Sequence, residues 1–377
     1  MHKIPLIKPY ITDEVKAKVC QVLDGGQLTE GATTREFEAL CRQHIGCAHA
    51  LAACNCTVGM EMALRLFGVG PGDEVIVPDY TYSATAAVAR FVGATMVLVD
   101  VDPATMLIDY DALEAAVTPK TKAIIPVSMF GNPLDYNRLR EIQGRGQFKI
   151  IEDSACSIGA SWNGKKVGNW ADISVFSFHP RKFITTGEGG LVTTNRDDWA
   201  AWMDSYKHFG MMRMAEREDI QFGMIGTNFK MSNILAAVGA VQMKHIEELL
   251  AKRESLALRY REKLGGVEGI TLPAVTPGGR HSWQTCCVFV EDRNPIMKRM
   301  RADGIEVQVG NYALHMHPAF QPSAWCRHAG SLADSRRVFD RALALPLYYD
   351  LTESDQDIVI ERLIREVRAE RSKGGAT

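Results

Sequence analysis

Between residues 49 and 153 the chain alternates short β-branched runs with longer stretches of helical periodicity. The runs are Glu74 to Pro78, Thr95 to Asp100, Lys122 to Val127 and Lys149 to Asp153. Strand and crossover helix in repetition predict a mostly parallel sheet covered on both faces. One crossover helix, Thr57 to Phe67, places Met60, Ala63, Leu64 and Phe67 at helical spacing and stops at Gly68 and Gly70. Two further runs, Asp172 to Phe178 and Gly190 to Thr194, lie too close together for a crossover helix and predict a hairpin. A long helical pattern follows from Ser232 to Leu264, and then a Gly- and Pro-rich stretch from Gly265 to Gly279 opens a smaller second domain. The expected division is therefore 1–250 and 251–377. No internal repeat or low-complexity tract interrupts it.

Composition narrows the class. The 377 residues are 46% hydrophobic, which is enough for a sizeable core and excludes disorder as the main character. Lys and Arg number 43 against 45 Asp and Glu, a formal charge of −2, and no basic stripe with interleaved aromatics occurs. Nucleic acid is not an expected partner. No run approaches the ~18 apolar residues of a membrane span, so no membrane partner is expected either. Lys3, Pro5, Lys8 and Pro9 interrupt the first ten residues where a secretory signal needs an unbroken apolar segment, and the expected location is cytoplasmic. Nine scattered cysteines read as reduced thiols. Cys54 and Cys56, or Cys286 and Cys287, lack the spacer of a common zinc site, so no metal is expected.

The carboxyl ends of parallel strands are where open α/β sheets bind ligands. Asp153 closes one such strand, and the turn Asn55-Cys-Thr57 opens the helix that follows another. Free N–H groups at that helix start, with the Thr57 hydroxyl, suit a phosphate; Thr57 as a plain helix cap suits the same letters. Lys182 lies in Ser177-Phe-His-Pro-Arg-Lys-Phe-Ile-Thr-Thr-Gly-Glu-Gly-Gly190, after an apolar strand and before a glycine cluster. Taken alone it reads first as a surface lysine in a loop, with an amine that attacks a carbonyl to form a Schiff base as the alternative. Its company decides: an acid at a strand end, a phosphate-binding turn and a lysine with a serine five residues before it are the parts of a pyridoxal phosphate site.

These motifs resemble those of the DegT/DnrJ/EryC1/StrS sugar aminotransferases. The likeness runs from Ile4-Pro-Leu-Ile-Lys-Pro9 through Val77-Pro-Asp-Tyr-Thr-Tyr-Ser-Ala-Thr85, Glu152-Asp-Ser-Ala-Cys156 and the lysine segment. It continues through Gly226-Thr-Asn-Phe-Lys-Met-Ser232, Leu314-His-Met-His-Pro318 and Leu345-Pro-Leu-Tyr-Tyr349. The resemblance implies a fold-type-I α/β architecture, with a large domain built on a seven-stranded, mostly parallel sheet and a smaller α+β C-terminal domain. It implies pyridoxal 5'-phosphate bound through Lys182, which also moves the proton, with Asp153 on the ring nitrogen and Tyr82 stacked on the ring. Thr57, Ser177 and the backbone at Cys56 would hold the phosphate. Asn228 would reach the phosphate of a neighbouring subunit, making a homodimer with shared sites.

The sequence departs from the family pattern at Cys156, where glutamine commonly meets the ring hydroxyl, and at Cys56, where glycine is common. A thiol is the weaker donor, and the Cys56 side chain must turn away from the phosphate. Thr29, His179 and His315 are candidates for contact with substrate, each with a structural role as the alternative, and His317 is a neighbour in the same turn. The implied reaction takes the amino group of L-glutamate and passes it to a keto group of a nucleotide-linked sugar. The lysine's pKa is expected to be lowered by burial or by its bond to the cofactor. The form of the lysine segment is more like members acting at sugar C4 than at C3. Alternatives are an aminocyclitol precursor as acceptor, or a non-catalytic regulatory relative. Dehydrating relatives carry histidine in place of the lysine, which this chain retains.

Overall fold

The computed structural model describes residues 3–212 and 219–374. Eight strands form the large sheet in the order His49–Ala53, Gly190–Thr194, Ile173–Ser177, Lys149–Asp153, Thr121–Ile124, Glu74–Pro78, Thr95–Val99 and Cys326–Ala329. Gly190–Thr194 runs antiparallel to both its neighbours, as the hairpin reading requires, and the pairings from Ile173–Ser177 onward are parallel. Both faces are buried, and successive residues alternate between them. Ile76, Val97, Val99, Ile124 and Ile150 enter one core, whereas Val75, Val77, Met96, Leu98, Ala123 and Ile151 enter the other.

The expected seven strands become eight. Cys326–Ala329 adds itself parallel to Thr95–Val99 at the sheet's edge. Its sequence, Cys-Arg-His-Ala, has no apolar alternation, because only Cys326 is buried there. The third expected strand is shorter than its apolar run: pairing stops at Ile124, before Pro126, which has no N–H to give. The helix after the first strand spans Cys56–Leu66, and Asn55 caps it by accepting from the Val58 N–H at 3.0 Å. Capping by Thr57 is thereby corrected: Asn55 does that work. The long helical pattern from Ser232 is two helices, Asn233–Lys244 and Ile246–Leu264. His245 leaves helical geometry between them, and its ring reaches Glu14 at 2.9 Å.

A second, antiparallel sheet orders Ile270–Thr271, Cys286–Val290, Ala342–Leu345 and Gln308–Val309. Its apolar cluster includes Tyr260, Val288, Leu343 and Leu363, the last from the helix Glu353–Gly374. The chain passes between the two sheets more than once: Ile4 bridges to Ile305, and Tyr312–Ala313 pairs with Tyr80–Thr81 at the carboxyl edge of the large sheet. That last pairing matters for the site.

Candidate active site

Asp153 ends its strand with its carboxylate buried. Oδ2 accepts from the Thr85 hydroxyl at 2.7 Å and Oδ1 from the Ala155 N–H at 3.1 Å. Burial pushes this carboxyl above its ordinary pKa, opposed by those two hydrogen bonds and by the charge of Lys182. Glu152, one residue earlier, points through the opposite face of the sheet to Ser128, Tyr136 and Ser174. The alternation gives the two adjacent acids separate surroundings, with Asp153 on the side of the lysine.

Lys182 is carried by a loop tied down on both sides. Its own N–H bonds to the His179 carbonyl at 2.8 Å, and the Thr186 N–H bonds to the Phe178 carbonyl at 2.9 Å. Gln284 clamps the loop from outside, accepting from the Phe183 N–H at 3.1 Å and donating to the Arg181 carbonyl at 2.8 Å. Gln242 accepts from the Thr185 N–H at 2.8 Å. Both glutamines are buried. The ammonium of Lys182 meets Cys156 Sγ at 3.0 Å. Burial lowers the lysine pKa, but Cys156, Asp153 and Cys56 raise it further, and it stands above its ordinary value. The expectation that burial depresses it is corrected, because acidic groups gathered around one amine outweigh its desolvation.

The turn at the start of Cys56–Leu66 is built by close approach. A Cβ on Gly190 would lie 2.4 Å from the carbonyl carbon of Asn55 and 2.7 Å from the nitrogen of Cys56. Only glycine lets that strand and the helix terminus meet. Cys56 is buried and its thiol donates to the Val175 carbonyl at 3.6 Å, turning into the sheet and leaving its backbone at the helix end. Thr57 is half-buried, and its hydroxyl has no hydrogen-bond partner among the described residues. Ser177 pairs with Gly190 across the hairpin and accepts from the His179 N–H at 3.4 Å. Tyr82 stands at the start of Ser83–Phe91 with 62% of its surface open, an aromatic face 6.4 Å from the ring of Tyr312.

The structure thus gathers Lys182, Asp153, Cys156 and Cys56, with Thr57 and Ser177 at the adjoining helix terminus. Tyr82 joins them through Thr81 and Thr85, whose hydroxyls are 2.9 Å apart beside Asp153. Asn228 is exposed, accepts from Lys230 Nζ at 2.6 Å, and has no hydrogen bond to Lys182 or Asp153. Its neighbour Phe229 accepts from the Cys54 N–H at 2.9 Å, so this segment borders the helix-terminus turn. Thr29 is exposed, and its hydroxyl has no partner among the described residues. His179 is exposed and its Nδ1 accepts from the Arg181 N–H at 3.2 Å. His315 is held by Asp79, while the ring of His317 packs edge-on to Tyr312.

Sequence reasoning passed over Asp79, Thr85, Gln242 and Gln284. Asp79 carried a usable signal, since it follows a parallel strand as Asp153 ends one. The two glutamines carried none, because their partners are fixed only by the fold. Glu30, Asp204 and His208 lie close enough to share a metal ion. The Lys207 ammonium already supplies positive charge there, 3.0 Å from Glu30 and 3.9 Å from Asp204.

The assembled residues fit pyridoxal phosphate. A buried carboxylate could face a ring nitrogen, an open aromatic face could lie on a ring, an amine stands beside Cys156 and Asp153, and a helix terminus with a spare hydroxyl could take a phosphate. The sequence profile of the DegT/DnrJ/EryC1/StrS aminotransferase family matches residues 9–364. A GDP-perosamine synthase from Caulobacter vibrioides is 36% identical over 370 residues, spanning 96% of this chain and 98% of that one. Spore coat polysaccharide biosynthesis protein SpsC from Bacillus subtilis is 32% identical over 375 residues, with 96% of each covered. Among solved structures, Spr1654 from Streptococcus pneumoniae superposes in its PMP form with a TM-score of 0.93 at 28% identity, covering 99% of this chain and 100% of that one. Its PLP form gives 0.90 at 29% identity, with 98% and 99% covered. Among the described residues, no helix is long and apolar enough to cross a membrane.

Proposed function

The chain belongs to the DegT/DnrJ/EryC1/StrS aminotransferase family and is a pyridoxal-phosphate-dependent transaminase, and from that premise we propose that it moves the amino group of L-glutamate onto the C4 keto group of a nucleotide-linked deoxy sugar. The observation that carries the reading is the single cluster formed by Lys182, Cys156 and Asp153 at the carboxyl ends of the strands. Support for the acceptor comes from the likeness to a protein named for a GDP-linked product and to one named for polysaccharide biosynthesis. The form of residues 178–190 supports C4.

When bound, pyridoxal phosphate supplies an electron sink for the carbon that gives or receives the amine. The chain's own residues do the rest. Asp153, held by Thr85 and Ala155, would pair with the ring nitrogen and keep it protonated. Thr57, Ser177 and the backbone at Cys56 take the phosphate. Tyr82 covers one ring face. Lys182 Nζ would move the proton needed at the reacting carbon, and its loop, fixed by Gln284 and Gln242, keeps that nitrogen in place.

A second copy of the chain completes the site. The segment bearing Asn228 presents Phe209, Met212, Ile220, Phe222 and Ile225 to the outside, and Ile225 is 97% exposed. An apolar surface of this kind beside the phosphate turn fits a homodimer in which Asn228 reaches across.

Visible absorbance tests the whole reading. Protein loaded with pyridoxal phosphate should show a yellow band that L-glutamate bleaches and that one 4-keto nucleotide sugar restores. Restoration only by a 3-keto sugar or an aminocyclitol precursor would overturn the acceptor, and a band indifferent to glutamate would overturn the donor.

A further inference from the structure

Cys156 Sγ and Lys182 Nζ touch at 3.0 Å, although they stand 26 positions apart in the chain. The sulfur sits on the turn that follows Lys149–Asp153, where the Ala155 N–H bonds to the Asp153 carboxylate at 3.1 Å and the Ser282 hydroxyl to the Cys156 carbonyl at 3.1 Å. That carbonyl is also closely packed, since a Cβ on Gly131 would lie 2.9 Å from it. The nitrogen sits on the loop that Gln284 and Gln242 fix. Two separately supported segments therefore hold a thiol and an amine in contact.

Other sulfurs nearby are placed differently. Cys56 and Cys326 are buried and donate to backbone carbonyls, at 3.6 and 3.2 Å. Cys156 is only partly buried, so a small oxidant can reach it, and its neighbour is a nucleophile. The family resemblance leads one to expect glutamine at this position, whose amide has no sulfur to oxidise. Contact with the amine has a second effect. Burial lowers the Lys182 pKa, and Cys156 leads the groups that raise it. Oxidising this sulfur removes the strongest hold on the lysine proton and frees the nitrogen lone pair.

We propose that Cys156 and Lys182 form a reversible redox switch, in which hydrogen peroxide links Sγ to Nζ and withdraws the lysine from the cofactor. Peroxide first gives one oxygen to the sulfur: S–H becomes S–OH, sulfur loses two electrons, and the other peroxide oxygen leaves as water. The lone pair of Nζ then forms an S–N bond while the S–O bond breaks, and the departing hydroxide takes a proton from nitrogen as a second water. Lysine's flexible stem lets Nζ close the remaining gap by rotation. A dithiol reverses the link, giving up two electrons and two hydrogens as it becomes a disulfide. The state of the cofactor gates the switch. Nζ is free to react while the amino group rests on the cofactor, and is engaged while the lysine itself holds the cofactor. Neither L-glutamate nor a particular sugar enters the step.

Two loaded forms of the enzyme test this, one with pyridoxal phosphate and one with pyridoxamine phosphate. After brief exposure to hydrogen peroxide, each is unfolded at neutral pH, digested without reductant and mapped by mass spectrometry. The pyridoxamine form should yield joined peptides carrying Cys156 and Lys182, lighter than their sum by two hydrogens and separated by dithiothreitol. In the pyridoxal form the link should accumulate about tenfold more slowly. Moved to pyridoxal phosphate, the linked protein should show no visible band until dithiothreitol is added. Cys156→Ser should give no link and should keep its band after peroxide. Cys56→Ala should still give the link, which separates it from a disulfide between the two cysteines.

A Cys156 that gains oxygen without joining Lys182 would overturn the proposal, as would a bond to Cys56 in its place. Linking at equal rates in the two loaded forms would overturn it as well, because the lysine would then not be gated by the cofactor.

Discussion

Two segments leave the large sheet to build the site, and they are held by opposite means. Ser177 to Gly190 is gripped along its length: buried Gln284 and Gln242, from elsewhere in the chain, satisfy its backbone, and its glycines admit the neighbouring helix terminus. Lys207 to Lys230 is secured at its root, where the Lys207 ammonium is wholly buried against Glu30, Glu38 and the Ala52 carbonyl. Farther along, its described residues bond to one another, with the Phe209 N–H on the Thr227 carbonyl at 3.1 Å and the Gly223 N–H on the Gly210 carbonyl at 2.9 Å. Its outer side chains stay open, Phe222 at 64%. A reacting amine has to be fixed by its own chain. In the proposed homodimer, the partner subunit would cover the open apolar side of the second segment.

The largest effect should come from the first segment. Lys182→Ala should lower kcat by about 10⁴-fold, since among the described residues no other amine is held beside Cys156 and Asp153, and steady-state kinetics with saturating cofactor measure it. Activity within tenfold of wild type would break the comparison at its first term. Next comes the root of the second segment. Lys207→Met leaves the partly buried Glu30 and Glu38 without the buried ammonium that pairs with them, and urea unfolding should show a loss of about 3–5 kcal/mol. A surface change farther along behaves differently. Phe222→Ser should leave the unfolding of the isolated subunit within about 0.5 kcal/mol. Sedimentation equilibrium should show dimerisation weakened by about 1.5–3 kcal/mol, the worth of one buried aromatic side chain. Equal dimer affinity in wild type and variant would place the partner surface elsewhere.

The two segments also differed in how far the sequence exposed them. Lys182 and Asp153 could be read because each adjoins an apolar strand whose ends are marked by polar residues and glycine. The start of the helix at Cys56 was misplaced by one residue because Asn55 and Thr57 are both good caps, and only the hydrogen bond to Val58 chooses between them. Cys326–Ala329 could not be read as a strand, because an edge strand with one buried residue has no period-2 signal. The grip of Gln284 on residues 181–183 and of Asp79 on His315 spans more than a hundred positions. Those partners exist only once the sheets have formed. The raised pKa of Lys182 was hidden for a related reason: burial could be foreseen, whereas the approach of Cys156, Asp153 and Cys56 depended on three separate parts of the chain converging.

The smallest expected effect distinguishes the segments by the sign of a proton linkage. His208, at the root of the second, contacts Glu30 at 3.3 Å and the Asp204 carbonyl at 2.7 Å. The Glu30 bond raises its pKa despite partial burial. A folded pKa above the unfolded value of about 6.5 gives stability that is fully present below that value and is lost as pH rises through the folded pKa. His179, in the first segment, is shifted the other way, by desolvation and then by the charges of Lys182 and Arg181 against Glu188. Its folded form holds the proton less readily than the unfolded chain, so its contribution becomes unfavourable as pH falls through about 6.5. Urea unfolding of wild type, His208→Gln and His179→Gln at pH 5.5 and 8.5 should therefore give changes of opposite sign. The His208 variant loses more at the lower pH, by about 1 kcal/mol or less for a pair that keeps partial contact with water. The His179 variant gains there relative to pH 8.5. If both variants moved together, the contrast between an acid-bound histidine at one root and a cation-flanked one at the other would not survive in solution.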